Sequence, residues 1–245
     1  MRRFDAVICD IDGCLAPESS TPIDAAGLLK IAEHNRRAQE KGDLPVVTLC
    51  SGRPEPFVEA ICRMIGNRSL PAVAENGVWL FHPESNGWDR DPRITPEDLR
   101  AVGEAREWVE KELGPRGVVM QPGKVASLSL YHADTQVLRG MEGRVKKEFE
   151  SRGWPLRVSM TWLYINCDLK HVSKATALDR LISQTALTKE RLAGIGDTEG
   201  DRFIAERVSW FGCPANASPE IREHADYVAA AREIAGVLEI LERLI

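Results

Sequence analysis

The sequence lacks the signals of several protein classes. None of its 6 cysteines forms a Cys-x-x-Cys pair, and cysteines scattered through 245 residues indicate small buried side chains in a reducing compartment. No run approaches the roughly 20 apolar residues of a membrane span, and the first residues have no long apolar stretch like that of a signal peptide. Lys and Arg are not in surplus, since the net charge is -5, which disfavours nucleic acid as a partner. We therefore expect a cytoplasmic protein that binds neither membranes nor nucleic acids; no pattern sets its oligomeric state.

Apolar runs and helix signals alternate in the first and last parts of the chain. Residues 4–9, 46–50 and 72–74 have the pattern of buried strands, and helices are predicted over about 21–41 and 55–65. The alternation returns after residue 168 and continues to a final helix over 231–244. Strands that alternate with helices indicate a parallel sheet covered by helices on its faces.

The middle of the chain has a different element order. Residues 83–93 are rich in Pro, Asn, Gly and Asp and are typical of a connection. After them the order is helix, two strands, helix, two strands, which indicates an antiparallel sheet with helices on one face. We predict an α/β fold, in which a Rossmann-like parallel-sheet core (1–82 and 169–245) is interrupted by an α+β cap domain (83–168).

An Asp-x-Asp motif follows the first predicted strand. Asp10 and Asp12 lie two positions apart, so both carboxylates could face one pocket at the carboxyl end of the strand. Two close carboxylates repel each other, and an all-oxygen site suits Mg²⁺. Alone, the motif is weak, because solvated turn carboxylates are common.

Three further motifs follow predicted strands or open helices. Ser51, Gly52 and Arg53 follow the second strand and could bind an anion, although for this motif alone a helix cap with a turn glycine fits better. Lys174 opens a helix, where a cation is electrostatically misplaced unless it serves an anion; a solvated surface lysine is the alternative. Asp197 and Asp201 follow another strand, where a loop with a helix cap is the alternative. Together the four motifs lie at one edge of one predicted sheet.

In this order the motifs resemble those of the haloacid dehalogenase (HAD) superfamily. Ala74-Glu75-Asn76-Gly77 and Ala215-Asn216-Ala217 look like the sugar-phosphatase branch of that superfamily, in which a cap is inserted after the third core strand. The resemblance implies a HAD-like core in this chain. Three departures are Cys14, where threonine is usual, Gly200, where asparagine is usual, and Phe211-Gly212-Cys213-Pro214, which is bulkier than the usual run before the asparagine.

The resemblance also implies a role for each matching residue. Asp10 would be the nucleophile that forms an aspartyl phosphate, and Asp12 the general acid and base. Mg²⁺ would be held by Asp10, the Asp12 backbone carbonyl and Asp197, with Asp201 close by. The other implied contacts are phosphate binding by Ser51, Gly52 and Lys174, and substrate binding by Arg53, Asn76 and Asn216.

We therefore predict a magnesium-dependent phosphomonoester hydrolase for a small phosphorylated metabolite, either a sugar phosphate or a phosphorylated hydroxy acid. A phosphomutase with the same aspartyl phosphate, and a non-catalytic binding protein that keeps the fold, are the alternatives. A dehalogenase is disfavoured, because Asp12 and the metal-binding carboxylates would have no function in it. Candidate substrate contacts in the cap, for which core and surface roles fit better, are Lys124, Tyr131, His132, Arg157 and Trp162.

Overall fold

The computed structural model describes residues 3–161 and 163–245, so that Trp162 lies outside the described residues. The chain divides into two compact units, a core made of Met1–Asp89 with Lys174–Ile245, and an inserted unit, Arg90–Ser173. The boundaries predicted after residues 82 and 168 fall before the observed ones, after residues 89 and 173. The difference at the first boundary arises because part of the predicted connection is a strand that stays with the core.

The first core segment supplies five strands and two helices. They are β1 (Ala6–Cys9), α1 (Ala25–Lys41), β2 (Val46–Leu49), α2 (Glu55–Met64), β3 (Ala72–Ala74), β4 (Trp79–His82) and β5 (Gly87–Arg90). Helix α1 begins later than the predicted Thr21, because the Asp24 carboxylate accepts the N–H groups of Ala26 and Gly27. It ends, as predicted, at Gly42, whose φ of 66° closes the last turn.

The inserted unit has the predicted helix–strand–strand order, repeated once. Its elements are α3 (Pro96–Glu112), β6 (Val119–Met120), β7 (Ser127–Tyr131), α4 (Thr135–Ser151), β8 (Leu156–Met160) and β9 (Tyr164–Leu169). The strands form an antiparallel sheet in the order β6-β7-β9-β8. Helix α3 begins at a capping box formed by Thr95 and Asp98.

The second core segment restores the alternation of helices and strands. It contains α5 (Lys174–Gln184), β10 (Leu192–Ile195), α6 (Arg202–Ala205), β11 (Trp210–Cys213), α7 (Pro219–Arg222), β12 (Tyr227–Val228) and α8 (Glu233–Arg243). Strand β11 begins two residues after Val208, whose side chain packs in the core. In the described part of the chain, no helix combines the length and the apolar character that a bilayer crossing requires.

The main core sheet is parallel, with the strand order β12-β11-β10-β1-β2. Strand β1 is buried on both faces. Val7 and Cys9 pack in the cluster that includes residues of α1, α2 and α8, whereas Ala6 and Ile8 pack in the cluster that includes residues of α5 and α6. The predicted Rossmann-like parallel core is therefore confirmed.

Strand β3 has a different environment from the one predicted. It pairs antiparallel with β4 in a separate sheet of order β3-β4-β5, and it meets the main sheet through one parallel bridge between Cys50 and Val73. Strand β5 was missed in the sequence because the polar residues before it were interpreted as part of a longer connection. Trp88 of β5 packs on Phe81, with ring centroids 4.5 Å apart.

Candidate active site

Three neighbouring strands of the core sheet bring their carboxyl ends together. Asp10 directly follows β1, Ser51 follows β2, and Asp197 follows β10. Because β10, β1 and β2 are adjacent and parallel, these residues lie at one edge of the sheet. The ladder continues past β1, since the Asp10 N–H donates to Ile195 O at 3.0 Å. Residues that are far apart in sequence therefore share one site.

Lys174 joins this site from the first turn of α5. Its Nζ donates to Asp10 Oδ1 at 3.0 Å and to Asp201 Oδ1 at 2.7 Å. Burial works against the charge of the ammonium group, yet Asp10 and Asp201 outweigh it and hold the pKa of Lys174 well above its ordinary value. A helix N-terminus is a poor location for a cation, and these two carboxylates account for its presence here.

The carboxyl groups of Asp10 and Asp197 have strongly raised pKa values. Burial, reinforced by the charge of Asp201 and opposed by Lys174, raises the pKa of Asp10 to about 7. Burial and the charges of Asp201 and Asp10 raise the pKa of Asp197 to about 9. Both shifts mean that, without a cation, burial and repulsion between the carboxylates favour the protonated, neutral form of these two groups.

The carboxylate cluster fits a divalent cation. Asp10, Asp197 and Asp201 each offer an oxygen, and these oxygens lie within 4.8 Å of one another. Asp197 Oδ1 is buried and has no hydrogen-bond partner among the described residues. Buried carboxylate oxygens that repel each other are the ligands that Mg²⁺ prefers in proteins. The site therefore has both the charge and the unsatisfied oxygen that such an ion would neutralise.

Asp201 is the most enclosed of these carboxylates, with no exposed surface. One oxygen accepts from Lys174, and the other accepts the backbone N–H groups of Asp197 and Thr198 at 3.0 and 3.1 Å. These bonds give Asp201 a second role beside its predicted place near the metal: it fixes both the lysine and the loop that presents Asp197.

Asp12 faces a different partner. Arg53 Nε donates to both Asp12 carboxylate oxygens, at 2.9 and 2.7 Å, and Arg53 Nη2 donates to Oδ1. The guanidinium group also stacks on Phe57, 5.0 Å from the ring centroid. A planar, forked cation that binds both oxygens fixes the orientation of the carboxylate. Arg53, predicted as a substrate contact, is therefore placed here against the proposed acid–base residue.

The loop that carries Ser51 is supported by the Glu75–Gly77 turn. The Ser51 hydroxyl accepts the Arg53 N–H at 3.2 Å, and Ser51 O accepts the Asn76 N–H at 3.1 Å. Glu75 and Asn76 both have positive φ, 50° and 52°. Two consecutive non-glycine residues in this region are strained, at about 1–3 kcal/mol each. The side chain of Asn76, a predicted substrate contact, lies against Gly52. A β-carbon at Gly52 would come within 2.8 Å of Asn76 Oδ1.

Asn216 and Gly13 hold the loop that follows the Asp-x-Asp motif. Asn216 Nδ2 donates to Gly13 O at 2.8 Å and lies 3.3 Å from Asp197 Oδ2. A β-carbon at Gly13, whose φ is 73°, would overlap Asp197 Oδ2. The sequence motif suggested Asn216 as a substrate contact, but no pattern in the sequence predicts these partners, which lie 203 and 19 residues away.

The cysteines have the buried, unpaired character that the sequence indicates. All six are free and buried. Cys14, the departure from the usual threonine, lies beside Cys9, and the hydrogen bond between the two thiols, together with burial, raises the pKa of Cys14 well above its ordinary value. The thiol beside the Asp10 loop is thus a poor nucleophile.

Several known proteins are similar to this chain in sequence and in fold. A family model described as haloacid dehalogenase-like hydrolase matches residues 119–241, half of the chain. The phosphoglycolate phosphatase of Methanospirillum hungatei is 25% identical over 235 residues, which cover 96% of this chain and 94% of that protein. A crystal structure from Thermoplasma acidophilum has a TM-score of 0.73, 22% identity and 98% coverage of both chains. The sucrose-phosphatase of Synechocystis, solved with sucrose and phosphate, has a TM-score of 0.64 and 17% identity, with 100% of this chain and 98% of that chain covered.

Proposed function

Because the chain belongs to the haloacid dehalogenase-like hydrolase family and is a phosphatase, we propose that it hydrolyses a small phosphomonoester with the help of Mg²⁺. The observation that carries the proposal is the contact between Asp10 and Lys174 at the edge of the parallel sheet. A buried carboxylate held by a lysine and surrounded by further carboxylates suits attack on a phosphoryl group whose charge must be neutralised.

The proposed reaction has two steps, and Asp10 takes part in both. Its carboxylate attacks phosphorus and forms an aspartyl phosphate, while Lys174 neutralises charge on the phosphoryl oxygens and Ser51 with the Gly52 backbone binds them. Asp12 gives a proton to the leaving oxygen and then takes one from the water that hydrolyses the intermediate. Asp10, Asp197 and the Asp12 backbone carbonyl would hold Mg²⁺, with Asp201 beside them, and the ion supplies further neutralisation of phosphoryl charge.

For the substrate we propose a phosphorylated hydroxy acid, and phosphoglycolate is the first compound to test. The names of the relatives matched along nearly the whole chain support this class. A sugar phosphate is the second candidate, supported by the sucrose-phosphatase neighbour in fold. Arg53 and Asn76 stay predicted substrate contacts: Arg53 would meet the substrate beside Asp12, and Asn76 would meet it beside Gly52.

The test is phosphate release from a panel that includes phosphoglycolate, a phosphorylated sugar and a nitrophenyl phosphate. We expect activity with Mg²⁺, loss of activity in excess chelator, and recovery when Mg²⁺ is added back. An isomerised phosphosugar without free phosphate would instead establish a phosphomutase. Inactivity on the whole panel, with protein shown to be folded, would favour a non-catalytic binding protein. Full activity in chelator, with no ion found by metal analysis, would contradict the role of Mg²⁺.

A further inference from the structure

Asn216 connects three separate parts of the core unit through one amide group. It lies in the loop between β11 and α7. Its Nδ2 donates to Gly13 O at 2.8 Å and, more weakly, to Asp197 Oδ2 at 3.3 Å. Its Oδ1 accepts the backbone N–H of Glu233, the first residue of α8, at 2.7 Å. The side chain thus touches the loop after Asp12, a metal-binding carboxylate and the last helix.

These bonds leave the amide only one orientation. The carbonyl end must face the N–H donor of Glu233, and the NH₂ end must face the two acceptor oxygens of Gly13 and Asp197. A flipped amide would place an oxygen against two oxygens and a donor against a donor. Glu233 has a positive φ of 49°, which for a non-glycine residue is maintained only by its surroundings. Its bond to Asn216 is one of those constraints.

The orientation of the Asn216 amide matters for Asp197 because the two carboxylate oxygens of Asp197 have different surroundings. Oδ2 faces Asn216 and packs so closely on Gly13 that no side chain could be accommodated there. Oδ1 is buried and has no hydrogen-bond partner among the described residues. By bonding to Oδ2, Asn216 fixes the plane of the Asp197 carboxylate and therefore the direction in which Oδ1 points. The N–H that faces Asp197 Oδ2 also offsets part of the repulsion between Asp197 and the neighbouring carboxylates.

We propose that Asn216 is a positioning residue, which holds Asp197 and the Gly13 loop at the spacing that a divalent cation requires. The proposal rests on the proposed function for the identity of the ion, and it differs from the substrate contact predicted from sequence. Outer groups that orient metal ligands change metal affinity by about 10- to 100-fold when they are removed. A loss of this size in cation affinity, without a matching change in KM, is the expected signature.

The experiment measures binding of Mg²⁺ by calorimetry, and of Mn²⁺ by electron paramagnetic resonance, to the full chain without substrate. We expect Asn216→Ala to raise the Kd of the ion by about 10-fold or more. Asn216→Asp should raise it further, because its added oxygen faces Gly13 O and Asp197 Oδ2. Asn216→Ser, which keeps a shorter donor, should have the smallest effect. At saturating Mg²⁺ the KM for phosphoglycolate should stay within about threefold of the wild-type value.

Arg222→Met is the matched control. Arg222 donates to Ala217 O and Ala215 O on either side of Asn216 and so supports the same loop without touching Asp197. This variant should lose thermal stability yet bind the ion with the wild-type Kd. An unchanged Kd in folded Asn216→Ala and Asn216→Ser proteins would overturn the proposal. So would a raised KM with an unchanged Kd, which would make Asn216 a substrate contact. Since ion binding is read without substrate, a wild-type protein that binds Mg²⁺ but hydrolyses no phosphomonoester would contradict the proposed function alone.

Discussion

Asp10 and Asp12 are separated by one residue, yet their carboxylates have different partners. Asp10 is buried against Lys174, whereas Asp12 is partly exposed and held by Arg53. A carboxylate held by a buried ammonium group in a crowded anionic site is suited to nucleophilic attack. A carboxylate at the edge of the site, oriented by a guanidinium group, is suited to exchange protons with the leaving group and with water.

This difference predicts that the two residues fail differently when mutated. Asp10→Asn removes the proposed nucleophile at nearly constant volume, so turnover should fall by several orders of magnitude for every substrate. Asp12→Ala should be much less harmful to the first step with a nitrophenyl phosphate, whose leaving group needs little protonation, than with phosphoglycolate. The phosphoenzyme should then persist and be visible by mass spectrometry after rapid quench. A phosphoryl label on Ser51 or Cys14 would be incompatible with this mechanism.

We expect Arg53 to contribute to turnover by holding the Asp12 carboxylate in a fixed orientation. Arg53→Met should lower kcat for phosphoglycolate by about 10- to 100-fold, because the general acid loses its fixed position. Arg53→Lys should restore little, since one ammonium group cannot bind both carboxylate oxygens side-on. The loss should be smaller with a nitrophenyl phosphate. Equal losses for both substrates in steady-state assays would argue against a role through Asp12.

At the scale of elements, the turn after β1 depends on a glycine. Gly13 combines a positive φ of 73° with a packing distance to Asp197 that excludes a side chain. Gly13→Ala should therefore displace Asp197, the proposed metal ligand, and lower kcat/KM by about 100-fold or more. Phosphate release measures the loss of kcat/KM, and urea unfolding measures any change in the free energy of unfolding.

Gly140 in α4 provides the control for that substitution. It lies within α4, on the exposed side of the helix, and a β-carbon built there meets nothing within 4 Å. Gly140→Ala should stabilise the protein by about 0.5–1 kcal/mol and leave activity unchanged, since alanine costs less backbone entropy in a helix. If Gly13→Ala kept wild-type activity, the close packing on Asp197 would have no functional meaning.

The sequence patterns predict the elements better than they predict the contacts between them. Apolar runs mark β1, β2 and β10, and because parallel strands end at a shared edge, the patterns also bring Asp10, Ser51 and Asp197 together. The pairing of Arg53 with Asp12 was not predictable, because the two residues are 41 positions apart and no local pattern encodes the direction of a side chain across a sheet. Strand β5 was missed for a related reason: its stability comes from Trp88 packing on Phe81, a contact that is invisible in the polar composition around it.

At the scale of the whole molecule, the acidic cluster makes stability depend on pH and on cations. The pKa values of Asp10 and Asp197, about 7 and about 9, lie above the ordinary aspartate value of 3.8, which applies to the unfolded chain. The folded state therefore binds more protons than the unfolded state above about pH 4, and the metal-free protein should lose stability as pH rises through these two values. A bound divalent cation takes the place of those protons.

Mg²⁺ should thus raise Tm more at about pH 8 than at about pH 6, because fewer protons compete with the ion at the higher pH. Thermal unfolding with Mg²⁺, with chelator, and with a monovalent salt of equal ionic strength measures this difference. In chelator alone, Tm should fall over the same interval. A Mg²⁺-induced rise in Tm that is the same at both pH values would contradict the assignment of the ion to this cluster.

The interruption of the core by another unit has a consequence for synthesis on the ribosome. Strand β1 can pair with β2 once both have emerged, but its other neighbour, β10, which places Leu192 opposite Ala6, emerges much later. The inserted unit, Arg90–Ser173, is continuous in sequence and contains all four strands of its own sheet. The inserted unit can therefore complete its strand pairing first. During that time the edge of β1 that later pairs with β10 is unpaired and can form non-native strand pairs. Strand β1, which leads to the proposed nucleophile Asp10, is therefore among the first strands made and among the last to be enclosed.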